Sequence, residues 1–528
     1  MKALPAMTGA LRRISQRSPA SSSRALDTNP LTREQTVCGA STEHTTVVDR
    51  VRHAESSTTS SSVKNPAAVQ NAQTKEPKIA MLGMFGSGNT GNDGSLEAMV
   101  SFLREARPDA ELLCICPNPE TVTSRYGVAA VRQGRVDITG HRAARMSRML
   151  GDLPRNMLSI IHLFATLRGV RVLVIPGTGI LDDFQETAFG WPFVVFRWCL
   201  AARLRGVQVA FVSIGAGPIK NSLSRWFLKS AVRLAKYRSY RDDYSYQYLK
   251  DNGVDVSLDR RFPDLAFGLP LPSQLSPIAN KRKVVGVGVM DYHGWSKDNA
   301  EGDSIYLSYL GKLSSYICWL IEQGHDVRLL TGDVHDMTAV DDVLKMVVEQ
   351  WPDVERQRIT VGCGGSLHEL MAEIAQTDAV VVSRYHNVVC ALKLDRPTIS
   401  LSYNMKNDYL LAQFGQHYCQ HIESFDFEVL KQHTNAVLGN SDEITAQLAR
   451  TNALVQVQLE EQQHLLLNQF AKMYPVVAKQ PGRDIPSHQQ SFNGTPYDDE
   501  GDLHVYSQEG TCKETPSLAA VGTRKAQT

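Results

Sequence analysis

Arg384 and His386 stand two residues apart just beyond the apolar run Ala379-Val380-Val381-Val382. Such a run reads as a buried strand, so the polar pair that follows it emerges at the strand's carboxyl edge. A helix starting at His386 would add its N-terminal dipole to any anion held there. The guanidinium is a permanent cation with a planar fork of donors suited to a carboxylate or a phosphate. The imidazole is the side chain whose ordinary range lies near neutral pH. Together they suggest a site that grips a small anion and moves a proton. The loop Ser402-Tyr403-Asn404-Met405-Lys406-Asn407-Asp408, closing the next strand, brings Lys406 to the same edge.

Four further loops follow apolar strands. The first, Gly83-Met84-Phe85-Gly86-Ser87-Gly88-Asn89-Thr90-Gly91-Asn92-Asp93, contains a GxGxxG spacing at Gly86, Gly88 and Gly91. A dinucleotide reading is weak, because the next strand ends in Cys116-Pro117-Asn118 where an acidic residue is expected. A phosphate P-loop fails because no lysine follows Gly88. Asn89 and Asp93 are suited to holding hydroxyl groups. The others are Gly177-Thr178-Gly179-Ile180-Leu181-Asp182-Asp183, Ser213-Ile214-Gly215-Ala216-Gly217-Pro218, and the strand end Tyr240-Arg241-Asp242-Asp243. The cluster Gly332-Asp333-Val334-His335-Asp336 invites a metal reading. Three such residues on one loop, with no fourth ligand motif, more often cap a helix or touch a polar substrate, and no metal is expected.

These loops need a scaffold that ends many strands on one rim. From Lys78 onward short apolar runs alternate with helical patterns: strands at Leu112 to Cys116, Val172 to Ile175 and Val207 to Ser213, with helices near Leu153 to Leu167, Phe193 to Leu204 and Leu223 to Leu234. The rhythm breaks in a proline-rich stretch after Gly268 and restarts at Val284. This alternation predicts an α/β fold of two Rossmann-like, doubly wound domains. The expected organisation is a disordered leader over 1–77, an N-terminal domain over 78–268 and a linker over 269–282. A C-terminal domain over 283–440, a long helix over 441–475 and a disordered tail over 476–528 complete it. Two such sheets leave a cleft between their carboxyl ends, where the loops converge.

With 56 basic and 55 acidic residues the chain carries a formal net charge of +1, so nothing global recommends nucleic acid as a partner. The nine cysteines show no CxxC spacing and read as buried thiols of a reducing compartment. The most apolar stretch, Leu158 to Ile175, is broken by Arg168 and Arg171, so no transmembrane segment is expected. Met1 to Leu26 is basic, serine-rich and free of acidic residues. That composition suits a transit peptide and equally a basic leader with no address.

In order, GMFGSGNTGNDGSLEA, PGTGILDD, Arg241-Asp242 and above all SRYHNVVCALKLDRPTISLSYNMKNDYLLAQFG resemble the polysaccharide pyruvyl transferase family over about Ile79 to Gly415. In two places the chain departs from the family pattern: the carboxylate of the first turn is displaced to Asp93, and Tyr385 stands where leucine is usual. The resemblance implies a GT-B-like pair of domains and transfer of the enolpyruvyl part of phosphoenolpyruvate to a sugar as a ketal, with phosphate released. It implies His386 and Arg384 as catalytic groups, and donor binding by Arg241, Lys406, Gly177, Thr178 and Gly179. Asn89, Asp93 and Asp182 would face the acceptor, a saccharide or lipid-linked oligosaccharide. No cofactor beyond the co-substrate is expected, and the implied setting is cytoplasmic, at a membrane through the acceptor. Two rivals share the architecture: a GT-B nucleotide-sugar glycosyltransferase and a catalytically silent sugar-binding homologue. Glycosyltransferases of that kind place a glutamate on the nucleotide ribose, whereas here no Glu occurs between Glu373 and Glu423.

Overall fold

A computed structural model of the chain describes residues 78–134, 153–272, 282–295, 300–362 and 364–473. The expected leader over 1–77, the tail over 476–528 and most of the linker lie outside the described residues.

Two wholly parallel sheets form the frame. The first holds β1 (Lys78–Leu82), β2 (Glu111–Cys116), β3 (Ala129–Arg132), β4 (Val170–Pro176), β5 (Gln208–Ile214), β6 (Tyr237–Tyr240) and β7 (Arg260–Arg261), in the order β3-β2-β1-β4-β5-β6-β7. The second holds β8 (Val284–Gly288), β9 (Asp326–Leu330), β10 (Ile359–Val361), β11 (Ala379–Val382), β12 (Thr398–Ser402) and β13 (Cys419–His421), in the order β10-β9-β8-β11-β12-β13. Parallel neighbours need crossover connections, here mostly helices, and these cover both faces, so the central strands read as unbroken apolar runs. Val380, Val381 and Val382 are at most 1% exposed, each burial contributing ~1.5–3 kcal/mol.

Each sheet reverses direction at one point, between β1 and β4 and between β8 and β11, and a doubly wound sheet opens its ligand crevice there. On the first sheet, α1 (Thr90–Ala106) and α2 (Pro119–Tyr126) contribute to one core and α3 (Leu153–Thr166), α4 (Trp191–Leu204) and α5 (Ser222–Leu234) to the other. The short α6 (Asp243–Asp251) follows β6. The second sheet carries α7 (Gly302–Glu322), α8 (Asp336–Gln350), α9 (Leu367–Ile374), α10 (Tyr385–Lys393), α11 (Met405–Gln413) and α12 (Phe427–Gly439).

The last helix, α13 (Ser441–Met473), ties the two halves together. Near its start Leu448, Val455 and Leu459 belong to the core of the second sheet, and Asn452 donates to Asp395 at 2.7 Å. Further along, Gln462 donates to Ser213 in the first sheet at 2.5 Å, and Leu466 joins that sheet's core. No described helix is long and apolar enough to cross a membrane.

Candidate active site between the two sheets

The loops after β1, β4, β6, β9, β11 and β12 enclose a cavity of about 530 Å³. Its wall includes Asn89, Thr178, Gly179, Asp182, Arg241, Arg384, His386 and Lys406, together with Asp333, His335, Phe184 and Tyr403. Two of the expected residues lie behind this wall. Asp93 is 5% exposed and braces its own loop, accepting from the Gly86 N–H at 2.7 Å. Burial pushes its carboxyl upward, against that hydrogen bond and nearby Arg125. Gly177 donates its N–H to the Val212 carbonyl at 2.8 Å and packs under Leu265.

The halves meet through polar contacts around the cavity. Asn89 caps α1, accepting from the Asn92 N–H, while its amide donates to Asp333 of the second half at 3.2 Å. Thr90 donates both its N–H and its hydroxyl to the Gly332 carbonyl. Lys406 reaches across to Asp182 at 2.7 Å. The guanidinium of Arg241 lies under the Tyr385 ring, 3.7 Å from its centroid, a close cation–π contact.

The cations are not idle donors waiting for an anion. The Asp336 carboxylate holds Arg384 in a forked pair, Nε donating to Oδ2 at 2.7 Å and Nη2 to Oδ1 at 2.5 Å. Asp336 is fully buried and also accepts from the backbone of Asp291 and Gly332. The fork attributed to Arg384 is therefore spent on protein, and only its outer N–H groups remain for a ligand. Arg241 Nη1 donates to Asp264 at 2.8 Å.

A second group of donors gathers at Gly179. The point where a Cβ on Gly179 would lie is 3.7 Å from Arg241 Nη2, 3.7 Å from Lys406 Nζ and 3.4 Å from Asp182 Oδ2. The Thr178 hydroxyl and Arg241 Nε are buried without a hydrogen-bond partner. Arg241 Nε faces the equally unpartnered Asp242 Oδ2 at 3.7 Å, whereas a buried hydroxyl left unpaired is costly, so Thr178 calls for a polar guest.

His386 sits at the start of α10 with Nε2 buried and unpartnered. The nearest carboxylate, Asp264 Oδ2, is 3.7 Å away, too far for a hydrogen bond. Burial pushes the imidazole down to about 4, Asp264 pulling it up and Arg241 pressing it down. The ring is neutral at pH 7, so its approach to Asp264 is not an ion pair there. On its other side Nδ1 packs against α1 at Gly91, where a Cβ would lie 1.9 Å from Nδ1. Alanine in a helix is ordinarily favoured over glycine by ~1 kcal/mol. Here the collision reverses the sign: Gly91→Ala is expected to lose ~1–3 kcal/mol of stability and to displace the imidazole. Urea denaturation and imidazole NMR shifts check this.

Asp264 and Asp336 are the groups that spacing alone leaves unread as partners. Asp264 follows Pro263 before Leu265-Ala266-Phe267 and accepts from the Ala266 N–H, an ordinary cap signal. Asp336 belongs to the 332–336 cluster, whose members do different jobs: Asp336 anchors Arg384, Asp333 and His335 line the cavity, and Asp333 also accepts from Asn89. Among the described residues no group of three or more His, Cys, Asp and Glu side chains is placed to hold a metal ion. Part of the wall is aromatic, Phe184 lying tilted against Tyr403 with centroids 4.8 Å apart and edge-on to Trp295 at 5.1 Å.

Two parallel, doubly wound sheets facing each other across a polar cleft, bridged by a C-terminal helix, define the GT-B-like class of α/β enzyme folds. Within that class the chain belongs to the polysaccharide pyruvyl transferase family, whose sequence model matches residues 89–405. Solved structures with a similar fold include the S. aureus MnaA–UDP co-structure, with a TM-score of 0.50 at 10% identity, covering 76% of this chain and 98% of that one. A glycosyltransferase from Rickettsia africae ESF-5 gives a TM-score of 0.49 at 10% identity, covering 76% of this chain and 100% of that one. Identities this low bear on fold alone. No curated protein matches the chain in sequence.

Proposed function

We propose that the cavity binds phosphoenolpyruvate and transfers its enolpyruvyl part to two hydroxyls of one sugar, forming a pyruvate ketal and releasing phosphate. The observation that carries this reading is the convergence of Arg241 Nη2 and Lys406 Nζ at Gly179, beside unpartnered Thr178 and His386, in a chain of this family. The donor has two anionic groups, and charge-assisted N–H donors suit both.

In this account a proton is delivered to C3 of the enol ether while a sugar oxygen bonds to C2. The C2–O bond to phosphate then breaks, phosphate takes the electron pair, and the second hydroxyl closes the ketal at C2. The two hydroxyl protons balance the one gained at C3 and the one carried off by phosphate. His386 is the proposed proton donor. Burial favours its neutral form, and the arriving anion favours its imidazolium form. The Phe184 and Tyr403 rings offer a face for the sugar, with Asn89 and Asp182 in reach of hydroxyls.

Lys406→Met is expected to raise the KM for phosphoenolpyruvate about 10- to 100-fold, as loss of one charge-assisted donor implies. It should leave kcat less affected. Initial-rate phosphate release at varied donor concentration checks it, and an unchanged KM would remove Lys406 from the donor site.

A further inference from the structure

Between Thr187 and Arg241 the chain has ten Lys and Arg residues and no Asp or Glu, in a protein whose overall charge is nearly balanced. Part of this charge is internal, since Arg238 pairs with Asp259 and Arg241 serves the cavity. Arg197 donates to the Gln133 carbonyl, Arg225 to the Ile219 carbonyl, and Lys220 lies over the Trp295 ring, which leaves Arg203, Lys229 and Arg233 beside apolar side chains on the outer helices of the first sheet. On α4 Leu200, Arg203 and Leu204 are exposed, with half-buried Phe193 and Phe196 beside them at helical spacing. On the adjoining α5 Leu223, Trp226 and Arg233 are exposed and Lys229 is half-buried. Leu204 is 70% exposed and Trp226 55%.

The two stripes form one surface, because Phe196 packs on Trp226 with centroids 5.3 Å apart. Phe189, 71% exposed, continues the surface to the cavity, since Glu186 and Trp191 on either side of it line the cavity wall. On neighbouring α3, Ile160 and Ile161 are also exposed. A contiguous apolar patch on one face is unusual for a surface that meets only water.

We propose that this face is an interfacial docking surface for a bilayer carrying anionic phospholipids. Leucine, phenylalanine and tryptophan would enter the headgroup boundary while the interleaved arginines and lysines stay at phosphate level. The charge pattern selects this occupant over a second copy of the chain, because a two-fold contact would set the cations of one copy against those of the other. The exposed leucines and tryptophan favour lipid over nucleic acid. Resting on the proposed function, docking here would bring the cavity to an acceptor held in the membrane.

The test is co-sedimentation of the full-length protein with phosphatidylcholine vesicles, with and without about one third phosphatidylglycerol, in the absence of donor and acceptor. Binding is expected on the anionic vesicles and should weaken with salt. The partition coefficient is expected to fall at least about tenfold in Leu204→Ser/Trp226→Ser and again in Arg203→Glu/Lys229→Glu. Unchanged thermal midpoints would show that these substitutions leave the fold intact. Equal binding to neutral vesicles, no binding, or insensitivity to either pair of changes would overturn the proposal. So would self-association in sedimentation velocity that the same changes abolish. None of these readouts depends on pyruvyl transfer, so the docking face and the proposed chemistry fail separately.

Discussion

His386→Asn is expected to slow phosphate release from phosphoenolpyruvate by about 10²–10⁴-fold at saturating donor and acceptor, the range for loss of a positioned proton donor. Asparagine keeps a small polar group at the start of α10 but has no titrating nitrogen. The same substitution gives a second signature in stability. Because burial pushes the imidazole down to about 4 from its ordinary 6.5, the unfolded chain binds a proton more readily than the folded one between those values. The contribution of the neutral ring is complete above pH 6.5 and is lost as pH falls toward 4. By pH 5 the loss amounts to roughly 2 kcal/mol. His386→Asn should lack this part of the acid-side decline, so urea midpoints of the two proteins should converge from pH 7.5 to pH 5. A variant with the parent's turnover would remove the proton-donor role, and parallel stability curves would place the imidazole in water.

The second large effect belongs to Asp336. Asp336→Ala is expected to cost about 3–5 kcal/mol, a large share of the ~5–15 kcal/mol typical of a folded protein. Removing the carboxylate leaves Arg384 as an uncompensated, partly buried cation and strips the N–H groups of Asp291 and Gly332 of their acceptor. A matched double change, Asp336→Leu with Arg384→Met, removes both charges together and is expected to recover the part of that loss that comes from the unpaired cation. Denaturant unfolding of the single and double variants measures the difference. Activity then separates two roles: a stable but inactive double variant assigns Arg384's outer N–H groups to substrate, whereas a stable and active one makes Arg384 purely structural.

This distinction shows where the sequence stops being informative. Apolar runs such as Val284 to Gly288 and Ala379 to Val382 are legible because a strand covered on both faces has no polar position to confuse the pattern. The helix expected over 441–475 runs from Ser441 to Met473, its long amphipathic spacing leaving little ambiguity. Edge strands are harder: Arg260–Arg261 and Cys419–His421 are short and partly exposed, so nothing apolar announces them. The helix Phe427–Gly439 also passes unread, its three buried side chains spread among polar ones.

For the site, the rule that loops at the carboxyl ends of parallel strands carry function finds the cavity's main walls. It does not reveal which charges are already paired. Arg384 and Asp336 lie 48 positions apart, Lys406 and Asp182 224 apart, and no local spacing reports such meetings. Asp93 shows the converse, a carboxylate on an apparently open glycine turn that is consumed by the turn's own backbone.

The central claim concerns what leaves the cavity. The full-length protein is to be incubated with phosphoenolpyruvate and a panel of terminal and lipid-linked hexosides, with nucleotide sugars run in parallel, while phosphate is quantified and the saccharides are weighed by mass spectrometry. The account predicts one phosphate released for each acceptor that gains a pyruvate less one water. Acceptors that instead gain a sugar from the nucleotide donors, with phosphoenolpyruvate left intact, would contradict it.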